Sequence, residues 1–244
     1  MALLETHDIV VAFGGNRALD GISLDVEAGR ITGLIGPNGA GKTTMFNVVT
    51  GLLAPGDGQV ILDGKDITKQ PPHKRAQLGL ARTFQRLELF TSLTVRDNIR
   101  VAGEIRNHWG LGDNMDATTE SERIIELVGL QEVADREVSE IPTGTARVVE
   151  LGRALMTKPR VLLLDEPASG QTEQETRAFG QLLGRLVADG LAICLVEHDM
   201  ALVMEVCAVI HVLDYGRMIA VGTPDEIRGN QAVIDAYLGA PAGM

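Results

Sequence analysis

The chain has 244 residues, of which 45% are hydrophobic. This length and composition are sufficient for one large domain with a substantial buried core. A formal net charge of −11 excludes proteins that bind nucleic acid or anionic lipid through a basic face, because such faces need clustered Lys and Arg. We therefore expect no nucleic-acid partner.

The first predicted elements are two short strands that lead into a glycine-rich loop. Residues 22–26 and 31–35 form apolar runs typical of strands, and the turn-like segment 27–30 separates them. After the loop, apolar residues repeat at helical spacing and predict a helix over 43–53. The order strand, glycine loop, helix is the context that a phosphate-binding loop requires.

The loop fits the pattern G-x-x-x-x-G-K-[ST] at every fixed position. Its residues and the one that follows are candidate phosphate contacts: Gly36, Pro37, Asn38, Gly39, Ala40, Gly41, Lys42, Thr43 and Thr44. Glycines let backbone N–H groups converge on an anion, and the next helix points its positive end at the same place. We expect Lys42 to reach the β- and γ-phosphates and the Thr43 hydroxyl to bind Mg²⁺. The alternative is a glycine-rich turn that contains Lys-Thr by coincidence.

The rest of the chain alternates between helical and strand patterns. A polar stretch contains a predicted loop over 110–119 and an amphipathic helix over 120–130. Residues 161–164 and 192–196 are continuous apolar runs of strand length, and a helix is predicted over 174–189 between them. This alternation predicts a parallel sheet with helices on its faces.

Two carboxylates, Asp165 and Glu166, directly follow the apolar run 161–164. A parallel sheet presents its ligand crevice at this end of its strands. We expect Asp165 to hold Mg²⁺ directly or through water, and Glu166 to polarise the attacking water, which contributes about 10²- to 10⁴-fold. A strand end capped by ordinary surface acids would be the default for this pair alone, but the phosphate loop upstream favours the catalytic interpretation.

The cysteines and the apolar segments indicate where the protein works. Cys194 and Cys207 lie in apolar segments without the spacing of a zinc site or redox pair, so we expect buried thiols in a reducing cytosol. Residues 1–11 do not have the pattern of a signal peptide. Apolar runs such as 161–164 are far shorter than a spanning helix needs. Any membrane role is therefore expected to be peripheral.

The order of these motifs resembles that of ABC ATPases, and the resemblance covers essentially the whole chain. It rests on the phosphate loop, Gln85, the glycine-containing helix start at 141–145, the pair Asp165 and Glu166, and His198. It implies an α/β P-loop NTPase with the ABC ATPase fold: a RecA-like, mainly parallel sheet core with N-terminal antiparallel strands. The whole chain, 1–244, would be a single domain with a helical subdomain inserted at about 91–155.

The resemblance also implies roles for single residues. Phe13 would stack on adenine, Gln85 would touch Mg²⁺ or water, and His198 would contact the γ-phosphate. A core phenylalanine, a surface glutamine and a structural histidine are the respective alternatives. The implied catalytic residues are Glu166, His198 and Gln85, and the implied metal contacts are Thr43, Gln85 and Asp165.

Two motifs depart from the family pattern. The signature is usually Leu-Ser-Gly-Gly-Gln, but Pro142 stands in place of the serine and Thr145 in place of the glutamine. Thr143, Gly144 and Thr145 can still offer backbone N–H groups to the ATP of an opposite subunit, with a helix dipole contribution of about 0.3–1 kcal/mol. The D-loop, 168–173, also lacks the usual Asp or Asn followed by Pro. We therefore expect an asymmetric heterodimer whose second site is weaker.

Within ABC ATPases, four segments resemble the ATPase subunits of branched-chain or other hydrophobic amino-acid importers. They are 81–85, 197–200, 222–224 and the tail 234–239. The resemblance implies ATP and Mg²⁺ as cofactors. Its implied partners are a second ATPase subunit in a homo- or heterodimer, transmembrane permease subunits and a solute-binding protein. The chain would lie on the cytoplasmic face of the inner membrane.

Three other functions stay open at this point. Lipopolysaccharide-export ATPases share part of the pattern, particularly the tail. A soluble P-loop kinase would need an acceptor pocket, and a regulatory ATPase would work without transport.

Overall fold

The computed structural model describes residues 2–111 and 114–238. Its strands are β1 (Ala2–Phe13), β2 (Asn16–Glu27), β3 (Ile31–Ile35), β4 (Asp57–Leu62), β5 (Lys65–Asp66), β6 (Leu80–Arg82), β7 (Val161–Asp165), β8 (Ala192–Val196), β9 (Val209–Asp214) and β10 (Arg217–Gly222). Its α-helices are α1 (Lys42–Thr50), α2 (Pro72–Gln77), α3 (Val95–Asn107), α4 (Ala117–Val128), α5 (Thr143–Met156), α6 (Glu173–Ala188), α7 (Met200–Val206), α8 (Pro224–Arg228) and α9 (Gln231–Leu238). Two 3₁₀ turns, Gln131–Val133 and Val138–Glu140, precede α5.

The strands form two sheets of opposite character. The first has the order β2-β1-β4-β5 and is antiparallel throughout. The second has the order β10-β9-β3-β8-β7-β6, in which only the edge pair β10 and β9 is antiparallel. The expected α/β fold, with a mainly parallel core sheet and N-terminal antiparallel strands, is confirmed.

The three central strands of the second sheet are buried along their whole length, as continuous apolar runs predict. All five residues of each of β3, β7 and β8 are buried. Their side chains alternate between two cores: Leu162 and Leu164 pack with the helices on one face. Val161 and Leu163 pack on the other face toward the antiparallel sheet. Helices α3 to α9 therefore contribute to the core on one face of this sheet, and α1 together with the antiparallel sheet covers the other.

Three helices, α3, α4 and α5, lie between β6 and β7 in the chain, in the region predicted as a helical subdomain. The predicted loop over 110–119 is wrong for its last three residues, because α4 already begins at Ala117. The Asp116 carboxylate caps this helix and accepts the N–H groups of Thr118 at 3.0 Å and Thr119 at 3.3 Å. Residues 112 and 113 of that predicted loop lie outside the described part of the chain.

Two helix ends also differ from the sequence prediction. The helix predicted over 43–53 ends at Thr50, since Gly51 adopts a left-handed conformation with φ 78°. The helix predicted over 120–130 ends at Val128, where Gly129 has the same φ. A left-handed glycine is a common helix terminator because it carries no Cβ that would clash.

The parallel strands bring the predicted motifs to one edge of the core sheet. The glycine loop follows β3, the Thr83–Gln85 segment follows β6, the Asp165-Glu166 pair ends β7, and His198 follows β8. Because the carboxyl ends of parallel strands meet at one edge, these groups share a crevice. Among the described residues, no helix has the length and apolarity to cross a membrane.

Candidate active site

The glycine loop is forced into its shape by close backbone approaches. Gly36 has φ 149°, and a Cβ there would lie 2.0 Å from the carbonyl oxygen of Leu213. At Gly41, with φ 111°, a Cβ would lie 2.8 Å from the carbonyl oxygen of Ala18. Both positions therefore require glycine. The loop ends at the N-terminus of α1, whose first turn contains no acidic residue, so the helix dipole is available to an anion.

Lys42 lies beneath this loop and is buried. Its Nζ donates to the carbonyl oxygens of Gly36 at 2.6 Å and Pro37 at 3.0 Å. Burial lowers the pKa of Lys42, and the carboxylates of Glu166 and Asp165 act in the opposite direction. The ammonium group is thus held between the loop and the acidic pair, where it can reach a phosphate by exchanging its carbonyl partners.

Glu166, Gln85 and His198 converge at the end of the core sheet. The Gln85 amide donates from Nε2 to both carboxylate oxygens of Glu166 at 3.2 Å. Nε2 of His198 lies 2.8 Å from Oε1 of Glu166. Glu166 has φ 50°, an unfavourable backbone conformation for a residue with a side chain, and its N–H donates to the Val196 carbonyl at 2.9 Å. Glu166 therefore contacts both of the other predicted catalytic residues directly.

Asp165 has a partner that the sequence did not indicate. Its Oδ2 accepts a hydrogen bond from Nη2 of Arg82 at 2.8 Å, and the two side chains are only 2% and 5% exposed. The backbone N–H of Asp165 donates to the Thr83 hydroxyl, with the nitrogen and oxygen 3.3 Å apart. Asp165 is thus a buried carboxylate in an ion pair.

A cavity of about 220 Å³ opens between these groups. It is lined by Ala18, Asn38, Gly39, Ala40, Gly41, Lys42, Thr43, Thr44, Gln85, Glu166 and His198. Pockets for whole drug-sized ligands measure roughly 300–1,000 Å³, so this cavity matches a phosphate group rather than an entire nucleotide. Its amides, ammonium group and hydroxyls are the donors that a phosphate requires.

The same cavity fits a divalent cation that shares phosphate oxygens. No group of three or more His, Cys, Asp or Glu side chains that could hold a metal alone occurs among the residues that the structure describes. Thr43 and Gln85 line the cavity, and Asp165 lies at the adjoining strand end. Mg²⁺ favours oxygen ligands and is commonly held by one or two carboxylates together with substrate phosphates, which suits this donor set.

Other predicted site residues lie elsewhere. Phe13 ends β1 with its side chain 57% exposed and does not line the cavity. Thr143, Gly144 and Thr145 form the first turn of α5, and none of them lines the cavity either. Within one chain, the structure therefore does not bring the signature and the phosphate loop together. Gly144 instead packs against the D-loop, because a Cβ there would lie 3.1 Å from Gly170 O.

Glu197 is a second buried acid that the sequence analysis missed. Its Oε1 accepts the N–H of Ala168 in the D-loop at 2.8 Å, and its Oε2 accepts the N–H of His198 at 2.9 Å. The residue is 5% exposed. Its position directly before His198 was the only sequence signal. Glu197 therefore ties the D-loop backbone to the segment that carries the histidine.

Arg147 and Glu150 of α5 are a buried pair that holds the Gln85 segment. Nη1 of Arg147 donates to the Phe84 carbonyl at 2.7 Å and to Oε2 of Glu150 at 3.0 Å, and Nη2 contacts the Gln85 carbonyl. Oε1 of Glu150 accepts the N–H of Glu88 at 3.0 Å. Burial raises the pKa of Glu150, and Arg147 opposes this. The helix that begins at the signature thus fixes the Gln85 loop.

The fold and this crevice define a P-loop nucleoside triphosphatase. The family model described as ABC transporter matches residues 19–169, more than half of the chain, and a second model, branched-chain amino acid ATP-binding cassette transporter, matches residues 217–243. The chain therefore belongs to the ATP-binding subunits of the ABC transporter family, and its relatives place it in the branched-chain amino acid group.

Two relatives and two solved structures illustrate this similarity. The high-affinity branched-chain amino acid transport ATP-binding protein BraF of Pseudomonas aeruginosa is 40% identical over 97% of this chain and 98% of its own. LivG of Escherichia coli is 38% identical over the same shares. A nucleotide-free ATP-binding cassette from an ABC transporter has a TM-score of 0.88 at 30% identity and covers both chains completely. The ADP conformation of MJ1267, an ATP-binding cassette of an ABC transporter, has a TM-score of 0.87 at 32% identity, over 98% of this chain and 99% of that one.

Proposed function

We propose that this chain binds and hydrolyses ATP to power an importer of branched-chain or other hydrophobic amino acids. The observation that carries the catalytic part is the contact of Glu166 with both Gln85 and His198 beside the phosphate loop. The substrate class follows from relatives that match over almost the whole chain and are described as branched-chain amino acid transport proteins.

The triphosphate would be held by the loop amides, the α1 dipole and Lys42. Lys42 is ready for this role because its present partners are two loop carbonyls that a phosphate oxygen can replace. Thr43, Gln85 and Asp165 would hold Mg²⁺, which supplies positive charge to the β- and γ-phosphates when it is bound. Phe13 would stack on the adenine ring with its exposed face.

Hydrolysis would depend on Glu166 as the group that orients and polarises the attacking water. Its carboxylate oxygens now face the Gln85 amide and the His198 ring, so both neighbours can fix its direction. General-base assistance of this kind contributes about 10²- to 10⁴-fold. His198, with its side chain 46% exposed, would also donate to the γ-phosphate.

A second ATPase subunit is needed because the signature of one chain does not reach its own phosphate loop. Thr143, Gly144 and Thr145 would close over ATP bound to the opposite subunit. Pro142 precedes the helix and carries neither a hydroxyl nor an N–H, so this half of the interface would depend on the backbone N–H groups and the threonine hydroxyls of the residues that follow it. We propose an asymmetric heterodimer, in which changing the catalytic Glu of each subunit to Gln in turn gives unequal losses of turnover. Equal losses would contradict asymmetry.

The permease would dock in a groove between the core sheet and the helical insertion. This groove has a volume of about 350 Å³ and combines apolar with charged lining residues, among them Leu52, Phe84, Ile105, Trp109, Glu88 and Arg153. Phe84 directly precedes Gln85, so a helix seated in the groove would lie next to the catalytic loop. Closure of the dimer would then be converted into alternating access. The chain would lie on the cytoplasmic face of the inner membrane, and a solute-binding protein would deliver the amino acid.

Purification of the tagged chain from membranes, followed by reconstitution of what copurifies into vesicles, tests this proposal. We expect polytopic permease subunits to copurify and labelled leucine to move only with ATP and an intact Lys42. A Lys42→Ala complex is the inactive control. Isolation of an active ATPase with no membrane partner would contradict the transport function, and normal ATP binding by Lys42→Ala would contradict the site.

A further inference from the structure

Arg82 lies between Asp165, the carboxylate expected to hold Mg²⁺, and the groove proposed for the permease. It is the last residue of β6, in register with Leu163 of the neighbouring strand β7. Its Nη2 lies 2.8 Å from Oδ2 of Asp165, and both side chains are almost completely buried. In the described residues, this pair joins the carboxylate expected at the metal to the strand that leads into Gln85.

Three further groups fix the guanidinium. Nη1 donates to Oδ1 of Asn47 on α1 at 2.7 Å. The guanidinium carbon lies 5.3 Å from the ring centre of Phe46 and 4.9 Å from that of Phe84, within the range of cation–π contacts. Nε is buried and has no hydrogen-bond partner among the described residues. Arg82 is thus oriented by the phosphate-loop helix on one side and the Gln85 loop on the other.

The charge of Arg82 matters because Asp165 is buried. A carboxylate removed from water needs a counter-charge or several hydrogen-bond donors, and the contacts of its side chain include the Arg82 guanidinium at ion-pair distance. A divalent cation held at Asp165 would place a second positive charge beside the same carboxylate.

We propose that Arg82 is a positioning residue that substitutes for the divalent cation at Asp165 in the nucleotide-free protein. It keeps the Asp165 carboxylate directed toward the site. Because the guanidinium also packs on Phe84, which lines the groove, a movement of Phe84 would move that carboxylate as well. Arg82 and Phe84 both line the groove, so a single side chain separates the expected permease contact from the metal end of the site. This inference rests on the proposed function for the identity of the ligand, but the ion pair itself can be tested without any turnover.

The test is a double-mutant cycle on the thermal stability of the purified chain in EDTA. Arg82→Met and Asp165→Asn each break a buried ion pair and leave one charged or polar partner unpaired, so each is expected to lower Tm by about 6–20 °C. The double variant is expected to lose clearly less than the sum of the two, because it leaves no unpaired charge. Additive losses would overturn the proposal.

An exposed pair in the same chain provides the matched control. Arg160 and Asp63 lie 2.9 Å apart, but their side chains are 49% and 50% exposed. Arg160→Met, Asp63→Asn and their double variant should each change Tm by less than about 3 °C, with no measurable coupling. Equal coupling in the exposed and buried pairs would contradict a special role for burial at Asp165.

Ligand binding gives a second readout that a purely structural arginine would not change. We expect Arg82→Met to weaken ATP binding in EDTA about tenfold more than in Mg²⁺, since the cation restores the missing charge beside Asp165. The same loss in both conditions would overturn the proposal. Should Arg82→Met fail to fold, Arg82→Lys replaces it, because lysine keeps the positive charge but not the forked geometry of the guanidinium. Adding Asp165→Asn to the Arg82→Lys variant must then still lower the Tm of that variant. If the wild-type chain bound no ATP at all, the proposed function would be contradicted instead. The double-mutant cycle in EDTA would still test the ion pair, because it requires no ATP.

Discussion

Arg75 offers the sharpest stability prediction, because its guanidinium stabilises the end of the phosphate-loop helix from inside the protein. The residue is 1% exposed. Its Nη1 donates to the carbonyl oxygens of Val48 and Val49, both at 2.7 Å, in the last turn of α1. Nη2 donates to Thr68 O at 2.7 Å and Nε to Gln70 O at 2.9 Å. A charged donor near a helix C-terminus also complements the helix dipole.

The change Arg75→Met removes all four bonds but retains an apolar chain of similar length. Hydrogen bonds to charged groups each contribute about 1.5–3 kcal/mol, but part of this gain offsets the cost of burying the guanidinium. That cost is real here, because burial lowers the pKa of Arg75 and Asp66 only partly opposes it. We therefore expect a net loss of about 4 kcal/mol in the free energy of unfolding, which corresponds to a Tm lower by about 8–16 °C.

Urea denaturation and thermal unfolding of the purified chain measure this loss. Lys74→Met, on the same short helix but with an exposed side chain, is the matched control and should stay within about 0.5 kcal/mol of the wild type. Arg75→Lys should fall between the two, since an ammonium group cannot reach all four carbonyls. A loss below about 1 kcal/mol for Arg75→Met would refute the reasoning.

Two further predictions concern buried groups. Glu197→Gln keeps the shape of the side chain but turns an NH₂ group toward at least one of the three backbone N–H donors of Ala168, His198 and Asp199, so the D-loop and the His198 segment should shift. We expect kcat to fall about 10- to 100-fold while the Kd for ATP changes less than about threefold, and an unchanged kcat would argue against this positioning role. Burial raises the pKa of Cys207 to about 12 and raises that of Cys194 as well, so neither thiol is ionised at pH 8. Native protein should therefore resist iodoacetamide, with labelling of both cysteines only after denaturation, and rapid labelling of the native chain would contradict their burial.

The elements that the sequence predicted well are those whose signal is local. Strands β3 and β8 have the predicted bounds, because a short uninterrupted apolar run between polar segments is typical of a fully buried parallel strand in an α/β protein. The N-terminus of α4 was missed since Ala117, Thr118 and Thr119 add little apolar periodicity, and its start is set by the Asp116 cap. Helix ends depend on single capping residues more than on pattern.

In the candidate active site, too, the contacts that follow from local sequence signals were predicted, and those that depend on distant parts of the chain were not. The convergence of Gln85, Glu166 and His198 follows from their positions after parallel strands, which the sequence order already indicated. The pairing of Arg82 with Asp165 joins residues far apart in the chain and depends on the register of β6 against β7, which no local pattern specifies. Glu197 was missed for a related reason, because its partner in the D-loop comes from a different strand end.

The measurement that tests the catalytic proposal most directly is ATP turnover by the assembled complex with Glu166→Gln. We expect turnover to fall about 10²- to 10⁴-fold while ATP still binds with little change in Kd, because the amide cannot act as a base. Glu205→Gln, the same change in an exposed acid on α7, is the control and should leave turnover unchanged. Turnover by Glu166→Gln equal to that of the wild type would contradict the assignment of Glu166 as the catalytic carboxylate.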